Sequence, residues 1–340
     1  MSFATPLFTR LRLRLRRERL LARARRAYRG LSPLADRTGT IAPDAVVLCA
    51  TIRNEAARLG HFLAHHRRIG IGHFLIIDNA SDDGSAKALM AEPDVSVWST
   101  RASYRRAGFG MDWVNGVLHA HARGRWVLTV DADEAFVHPH ADTRPIGALT
   151  DWLEGQGLRA FGAMLIDLYP RGPVEGAVCP PGADPLTVAP WFDPGNYTIR
   201  RNATHGNLWI QGGVRARVFF ADAPARAPAL NKIPLVRWGR GMVYASSTHM
   251  LLPRGLNSVY DRAGGEFASG ALLHSKFIAG LAGKAAEELR RREHHAASRE
   301  YRAYAAGLAA GVDLWCPQSV RYEGWRQLEA LGLMSAGNWA

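Results

Sequence analysis

The chain has 340 residues, 47% apolar and 21% charged, which is ordinary for a soluble globular protein and enough for one large domain or two smaller ones. Three cysteines, Cys49, Cys179 and Cys316, stand far apart without a CxxC pair; this argues against a disulfide framework or a zinc–thiolate site and fits a reducing compartment. The net charge is +13, but residues 1–30 hold ten arginines against Glu18 and supply +9 of it, so the rest of the chain is only mildly basic.

No apolar run approaches the roughly eighteen residues of a membrane span, and the N-terminal stretch lacks the apolar core of a signal peptide. Residues 10–29, RLRLRLRRERLLARARRAYR, can form a basic helix. Their leucines (Leu11, Leu13, Leu15, Leu20, Leu21) begin with period two and make no clean helical stripe. Three readings stand: an anchor on anionic lipid, an arm for nucleic acid, or a solvated tail. Ser32-Pro33 and the stretch from Gly39 to Pro43 break the chain, so residues 1–43 read as tail and linker.

Residues 44–330 read as one α/β domain. It divides into two halves, about 44–140 and about 141–330. Val46 to Ala50 is a short buried strand, and Thr51-Ile52-Arg53-Asn54-Glu55 follows at its carboxyl end with Asn54 as a candidate N-cap. From Glu55 to Ile69 the apolar positions recur at three and four, giving an amphipathic helix that Gly70 stops. A strand from His73 to Ile77 runs into Asp78-Asn79-Ala80-Ser81-Asp82-Asp83-Gly84-Ser85, a sharp turn by composition. A helix over Ser85 to Met90 and a strand over Val95 to Ser99 complete the βαβαβ half of a doubly wound, mostly parallel sheet.

Gly110 to Arg123 reads as a helix feeding the most telling stretch, Arg125 to Val137, RWVLTVDADEAFV. Trp126 to Val130 is a buried central strand, and Asp131, Asp133 and Glu134 follow at the sheet edge where open α/β sheets bind ligands. If strand geometry persists, Asp131 and Asp133 share a side and suit Mg²⁺ or Mn²⁺; a turn with a helix cap is the plainer alternative. Further on, Ile146 to Glu154 reads as a helix and Phe161 to Leu168 as a strand. Residues 170–196, rich in Pro and Gly, read as a long loop. Short strands are expected at Val214 to Phe220 and Leu235 to Trp238, then one long helix from about Phe277 to Ala309.

Three strand ends thus bring acids and amides to one edge, which suits a nucleoside diphosphate with a divalent ion between acid and phosphate. There is no GxGxxG and no Walker lysine loop. The stretches TIRNEAARLGHFLAHHRRIGIGHFLIIDNASDDGS and VLTVDADEAFV, with GGVRARVF, NKIPLVRW, STHM and GALLHSKF later, resemble the bacterial family-two-like glycosyltransferases of the GT-A fold over residues 45–330.

The resemblance implies sugar transfer from a nucleotide-sugar donor to a hydroxyl of a glycan or glycolipid, with Mn²⁺ or Mg²⁺ on the diphosphate and an inverting course. By position it implies that Thr51, Arg53, Asn54 and Glu55 line the nucleotide pocket and that Asp78, with Asp82 beside it, meets base or ribose. Asp131 and Asp133 match the DxD element; Asp133 and His274 are the expected metal ligands, Asp131 holds ribose or metal, and Lys276 meets the diphosphate. An inverting course needs a carboxylate base, for which Asp167, Asp193 (beside Trp191 and Phe192, which are placed to stack on a sugar) and Glu266 (after Gly264-Gly265) are candidates. The pairs His65-His66, His119 with His121, His138 with His140, and His294-His295 read as structural or surface residues. The expected location is cytoplasmic, with the basic tail near the inner membrane face. A silent glycan-binding relative and a sugar nucleotidyltransferase are the rival readings; nucleic acid is not an expected partner.

Overall fold

The computed structural model describes residues 6–262, 265–291, 293 and 295–339. The core is a mixed nine-stranded sheet flanked by helices. Its strands are β1 (Ser32–Ala35), β2 (Val47–Ile52), β3 (His73–Asp78), β4 (Val95–Ser99), β5 (Trp126–Thr129), β6 (Glu134–Val137), β7 (Ala160–Asp167), β8 (Asn231–Arg237) and β9 (Gly270–His274), in the spatial order β1-β4-β3-β2-β5-β8-β7-β9-β6. The block β4-β3-β2-β5 is parallel, as the alternating strands and helices predict. In it Leu48, Phe74, Leu75, Ile76, Val95 and Val127 are fully buried, which explains the unbroken apolar runs. β8 runs antiparallel between β5 and β7, and β9 lies parallel to β7.

The helices are α1 (Leu7–Arg29), α2 (Ala56–Arg68), α3 (Ser85–Ala91), α4 (Met111–His121), α5 (Ile146–Gly155), α6 (Leu281–Arg291) and α7 (His295–Ala309). α2 to α5 lie within a residue or two of expectation. The arginine-rich stretch is α1, and it packs on α4 with Leu13, Leu21 and Ala24 buried. The period-two leucines now make sense. In a helix, residues two apart point about 200° apart, so Leu13 turns inward while Leu11 and Leu15 turn to solvent. The approach is close: a Cβ on Gly116 of α4 would stand 2.7 Å from the Ala24 carbonyl oxygen. Ser32-Pro33 is no break either, since it belongs to β1, antiparallel to β4 at the sheet edge, a position that tolerates proline. No described helix is long and apolar enough to cross a membrane.

Three expectations are corrected. Val214 to Phe220 is not a strand: Arg215–Phe219 forms a π-helical turn. Its apolar and β-branched residues pack against a helix rather than into the sheet, so composition misleads. The strand expected from Leu235 starts earlier, at Asn231. The long C-terminal helix is two helices; Gly280, at φ +92°, delays the start of α6, and Glu293 between the two is not helical. His294 and Gly264 lie outside the described residues.

Candidate active site

The carboxyl ends of β2, β3 and β5 meet at one edge, and there the chain forms a cleft of about 440 Å³. Thr51, Arg53, Asn54 and Glu55 line one wall, and Asp131 and Asp133 line the floor. His274 and Lys276, from the end of β9, close the far side.

Strand geometry does not persist through the acidic motif. β5 ends at Thr129, and Asp131 to Glu134 forms a turn in which the Glu134 N–H donates to the Asp131 carbonyl at 3.0 Å. The two aspartates therefore do different things. Asp131 is half exposed. Asp133 is turned inward: its Oδ2 lies 3.2 Å from His274 Nε2, and the Ser275 N–H fixes its carbonyl at 2.9 Å. Burial opposes ionisation of Asp133, but His274, Arg58 and Lys276 outweigh it and hold the carboxyl well below the usual range. Burial likewise opposes the imidazolium of His274, and Asp133 and Asp167 reverse the sign, raising its pKa.

Asp167 stands behind His274. Its Oδ1 lies 2.6 Å from His274 Nδ1 and 2.6 Å from Arg215 Nη2, with both partners buried. It therefore orients the histidine rather than facing the cleft. Arg215 comes from the π-helical turn and also reaches Glu300 of α7 at 3.5 Å. Lys276 does not stand free: Glu300 binds its ammonium at 3.0 Å, and it lies 4.9 Å from the centre of the Tyr301 ring.

Lys232 of β8 is a buried lysine that sequence reading missed. Its ammonium lies 3.1 Å from Glu134 and 3.8 Å from Asp131. Burial works against its charge, but the two carboxylates restore it and raise its pKa. Lys232 therefore neutralises part of the acidic motif. The register of β8 between β5 and β7 puts it there, and no local sequence signal marks that register.

The first two loops are knitted together. The Arg53 guanidinium donates to the carbonyls of Asn79 and Ala80 at 2.7 and 2.8 Å and pairs with Glu287 of α6 at 3.3 Å. Glu55 pairs with Arg58 and with Lys284 of α6. Asn54, at φ +53°, is not the helix cap: it accepts the Asp82 N–H, and Asp83 takes the Ala56 N–H at 2.9 Å instead. Asp78 is buried and accepts the Ser81 N–H, so it shapes the loop, while Asp82 itself points to solvent; neither lines the cleft, and their neighbour Asn79 does.

Two of the carboxylates expected to act as base are elsewhere. Asp193 is buried and spent: Arg217 donates to both its oxygens at 2.9 and 2.8 Å, and the Tyr169 hydroxyl donates to it as well. Phe192 beside it is fully buried and cannot stack on a sugar. Glu266 is exposed, in a two-residue strand paired with Asp261–Arg262, and does not line the cleft. Part of the 170–196 loop instead borders a second cavity of about 140 Å³ across the Asp133 turn, with Asp184, His61, His65 and Tyr322 on its walls. The other histidines have local tasks. His65 contacts the Phe136 carbonyl, His66 the Phe62 carbonyl, His119 the Met242 carbonyl, His121 the Tyr28 hydroxyl, His138 the Pro139 carbonyl and His140 the Trp339 carbonyl.

Among the described residues no three His, Cys, Asp or Glu side chains are gathered closely enough to hold an ion as they stand, and Asp131 is turned toward Lys232. Asp133 and His274 are the side chains that would hold an ion at this point, once the His274 Nε2 proton that now faces Asp133 is released. Asp167 on the other ring nitrogen is the carboxylate support that metal-ligating histidines commonly have.

No family model matches the chain. A stretch of 99 residues is 31% identical to a glycosyltransferase family 92 protein of Oryza sativa subsp. japonica, covering 28% of this chain and 16% of that protein. Among solved structures, a 4-diphosphocytidyl-2C-methyl-D-erythritol synthase aligns at 18% identity over 38% of this chain and 63% of its own, with a TM-score of 0.26. The mannosyltransferase Ktr4p from S. cerevisiae aligns at 12% identity over 48% and 56%, with a TM-score of 0.22. At such scores neither alignment bears on the site.

Proposed function

We propose that this chain is a glycosyltransferase that moves a sugar from a nucleotide-sugar donor to a hydroxyl of a glycan or glycolipid, by inversion, with Mn²⁺ or Mg²⁺ on the donor diphosphate. The observation that carries the reading is the pairing of Asp133 with His274 at the floor of the cleft, backed by Asp167 and set beside Thr51 to Glu55. Asp133 and His274 would hold the ion and leave its other positions to phosphate oxygens and water. The bound ion would offset the charge that grows on the leaving nucleoside diphosphate. The chain's own cations, Arg58, Arg215, Lys232 and Lys284, line the same cleft and lower the cost of bringing a diphosphate to an acidic motif. Asn79 and Thr51 offer polar contacts to the nucleoside at the strand ends. The second cavity shares Asp133 with the cleft, and we place the acceptor there.

The test is calorimetric titration of UDP, GDP and CDP, with Mn²⁺ and with chelator, into wild type and Asp133→Ala. One diphosphate should bind, only with the ion, and not to the variant. If none binds under any condition, the donor-site reading is wrong.

A further inference from the structure

α1 carries two apolar faces. Leu13, Leu21 and Ala24 dock on the domain, while Leu7, Phe8, Leu11 and Leu15 are 83%, 75%, 54% and 52% exposed. At 3.6 residues per turn these four side chains fall within an arc of about 100°. Arg12 and Arg19 flank that arc on one side, and Arg10 and Arg14 on the other; all four are exposed, and among the described residues none has a salt bridge. The sole acid of the helix, Glu18, is taken by Arg17 at 2.9 Å.

Beside this half of the helix lies a groove of about 460 Å³ bordered by Arg10, Arg14, Arg17 and Arg254, with no carboxylate on its walls. Arg254 donates to the carbonyls of Ala203 and Thr204, which hold it in place.

We infer that this surface seats the protein on an anionic phospholipid bilayer, with Leu7, Phe8, Leu11 and Leu15 in the interface and the arginine groove on lipid phosphates. A helix whose apolar face is rimmed by arginine is the form that lies in a membrane interface. A nucleic-acid backbone would satisfy the arginines but leave the leucines in water. A second copy would have to bring one arginine-rich face against another. The inference is independent of the donor-site reading.

The test is co-sedimentation of the full chain with vesicles of phosphatidylcholine alone and with about three parts in ten phosphatidylglycerol. Wild type should partition onto the anionic vesicles and leave the neutral ones. Arg10→Gln with Arg14→Gln should weaken that about 25-fold, taking about 1 kcal/mol for each charge. Phe8→Ser with Leu11→Ser should weaken it at least tenfold, with helix content unchanged by circular dichroism. Tryptophan emission of Phe8→Trp should shift to the blue on the anionic vesicles. The inference falls if anionic and neutral vesicles bind alike, or if the Phe8, Leu11 variant binds as wild type. It falls equally if a DNA duplex at the same phosphate concentration outcompetes the vesicles, or if the exposed face is covered by a dimer.

Discussion

His274 meets Asp133 through Nε2 at 3.2 Å and Asp167 through Nδ1 at 2.6 Å, so the ring is held from both ends. The outer bond fixes which nitrogen faces the cleft. Asp167→Asn should leave Asp133 and His274 in place yet weaken Mn²⁺-dependent nucleotide binding about 10- to 100-fold, the usual effect of losing a ligand's supporting carboxylate. It also strips buried Arg215 of its nearest anion, so a loss of about 3 kcal/mol in a denaturant melt is expected. Titration of metal at saturating nucleotide separates the two effects.

Asp193 gives the opposite pattern. Its oxygens are tied to Arg217 and Tyr169, away from the cleft. Asp193→Asn should lower stability by about 1–3 kcal/mol and leave the nucleotide affinity of the folded protein unchanged. A variant that is fully stable and loses transferase turnover would return Asp193 to the role of base.

Acid should destabilise the protein through its buried histidines. Burial opposes charging of His65 and His138, and the folded pKa of each drops to about 4. Between an unfolded pKa of about 6.5 and that value, only the unfolded chain takes up these protons, so stability falls as pH falls through this window and levels off below it. His138→Gln should flatten the slope of unfolding free energy between about pH 6.5 and 4, by up to 1.4 kcal/mol per pH unit. Urea melts across that range test it; an unchanged slope would mean His138 is charged in the fold.

The docking of α1 depends on Gly116. A methyl group there would stand 2.7 Å from the Ala24 oxygen and 2.8 Å from Tyr28 Cβ. Gly116→Ala should lift the helix, cost about 1–3 kcal/mol, and open its many arginines to trypsin. Cleavage rates within residues 10–29, compared with wild type, give the readout; equal rates would show that the two helices do not pack this way in solution.

Much of the fold was legible from the chain, and the reasons are local. β2, β3, β4 and β5 announce themselves because strands buried on both faces must be apolar throughout, and Gly70, Gly84 and Gly110 punctuate them. The cleft's acidic edge was legible because strand ends are where such sheets place ligand groups. What failed depends on distant partners. Nothing near Lys232 reveals that it meets Glu134, and nothing near Asp167 reveals that His274 and Arg215 claim it. Asp193 looked available in a loop rich in proline and glycine, but Arg217 had already taken it. α1 looked like a tail because its leucines serve two faces at once and so defeat a search for one.

The order of synthesis gives that helix a particular history. α1 and β1 leave the ribosome before either α4 or β4, the elements they rest on, has been translated. While it waits, the stretch has leucines with nowhere to go and a dense row of like charges. A row of like charges opposes both collapse and self-association of an unfolded stretch. β1 covers the open side of β4, which would otherwise be a bare edge available to neighbouring chains. A truncation meant to remove a floppy leader would instead uncover Gly116 and the rim of the sheet, so aggregation during expression is the outcome to expect from it.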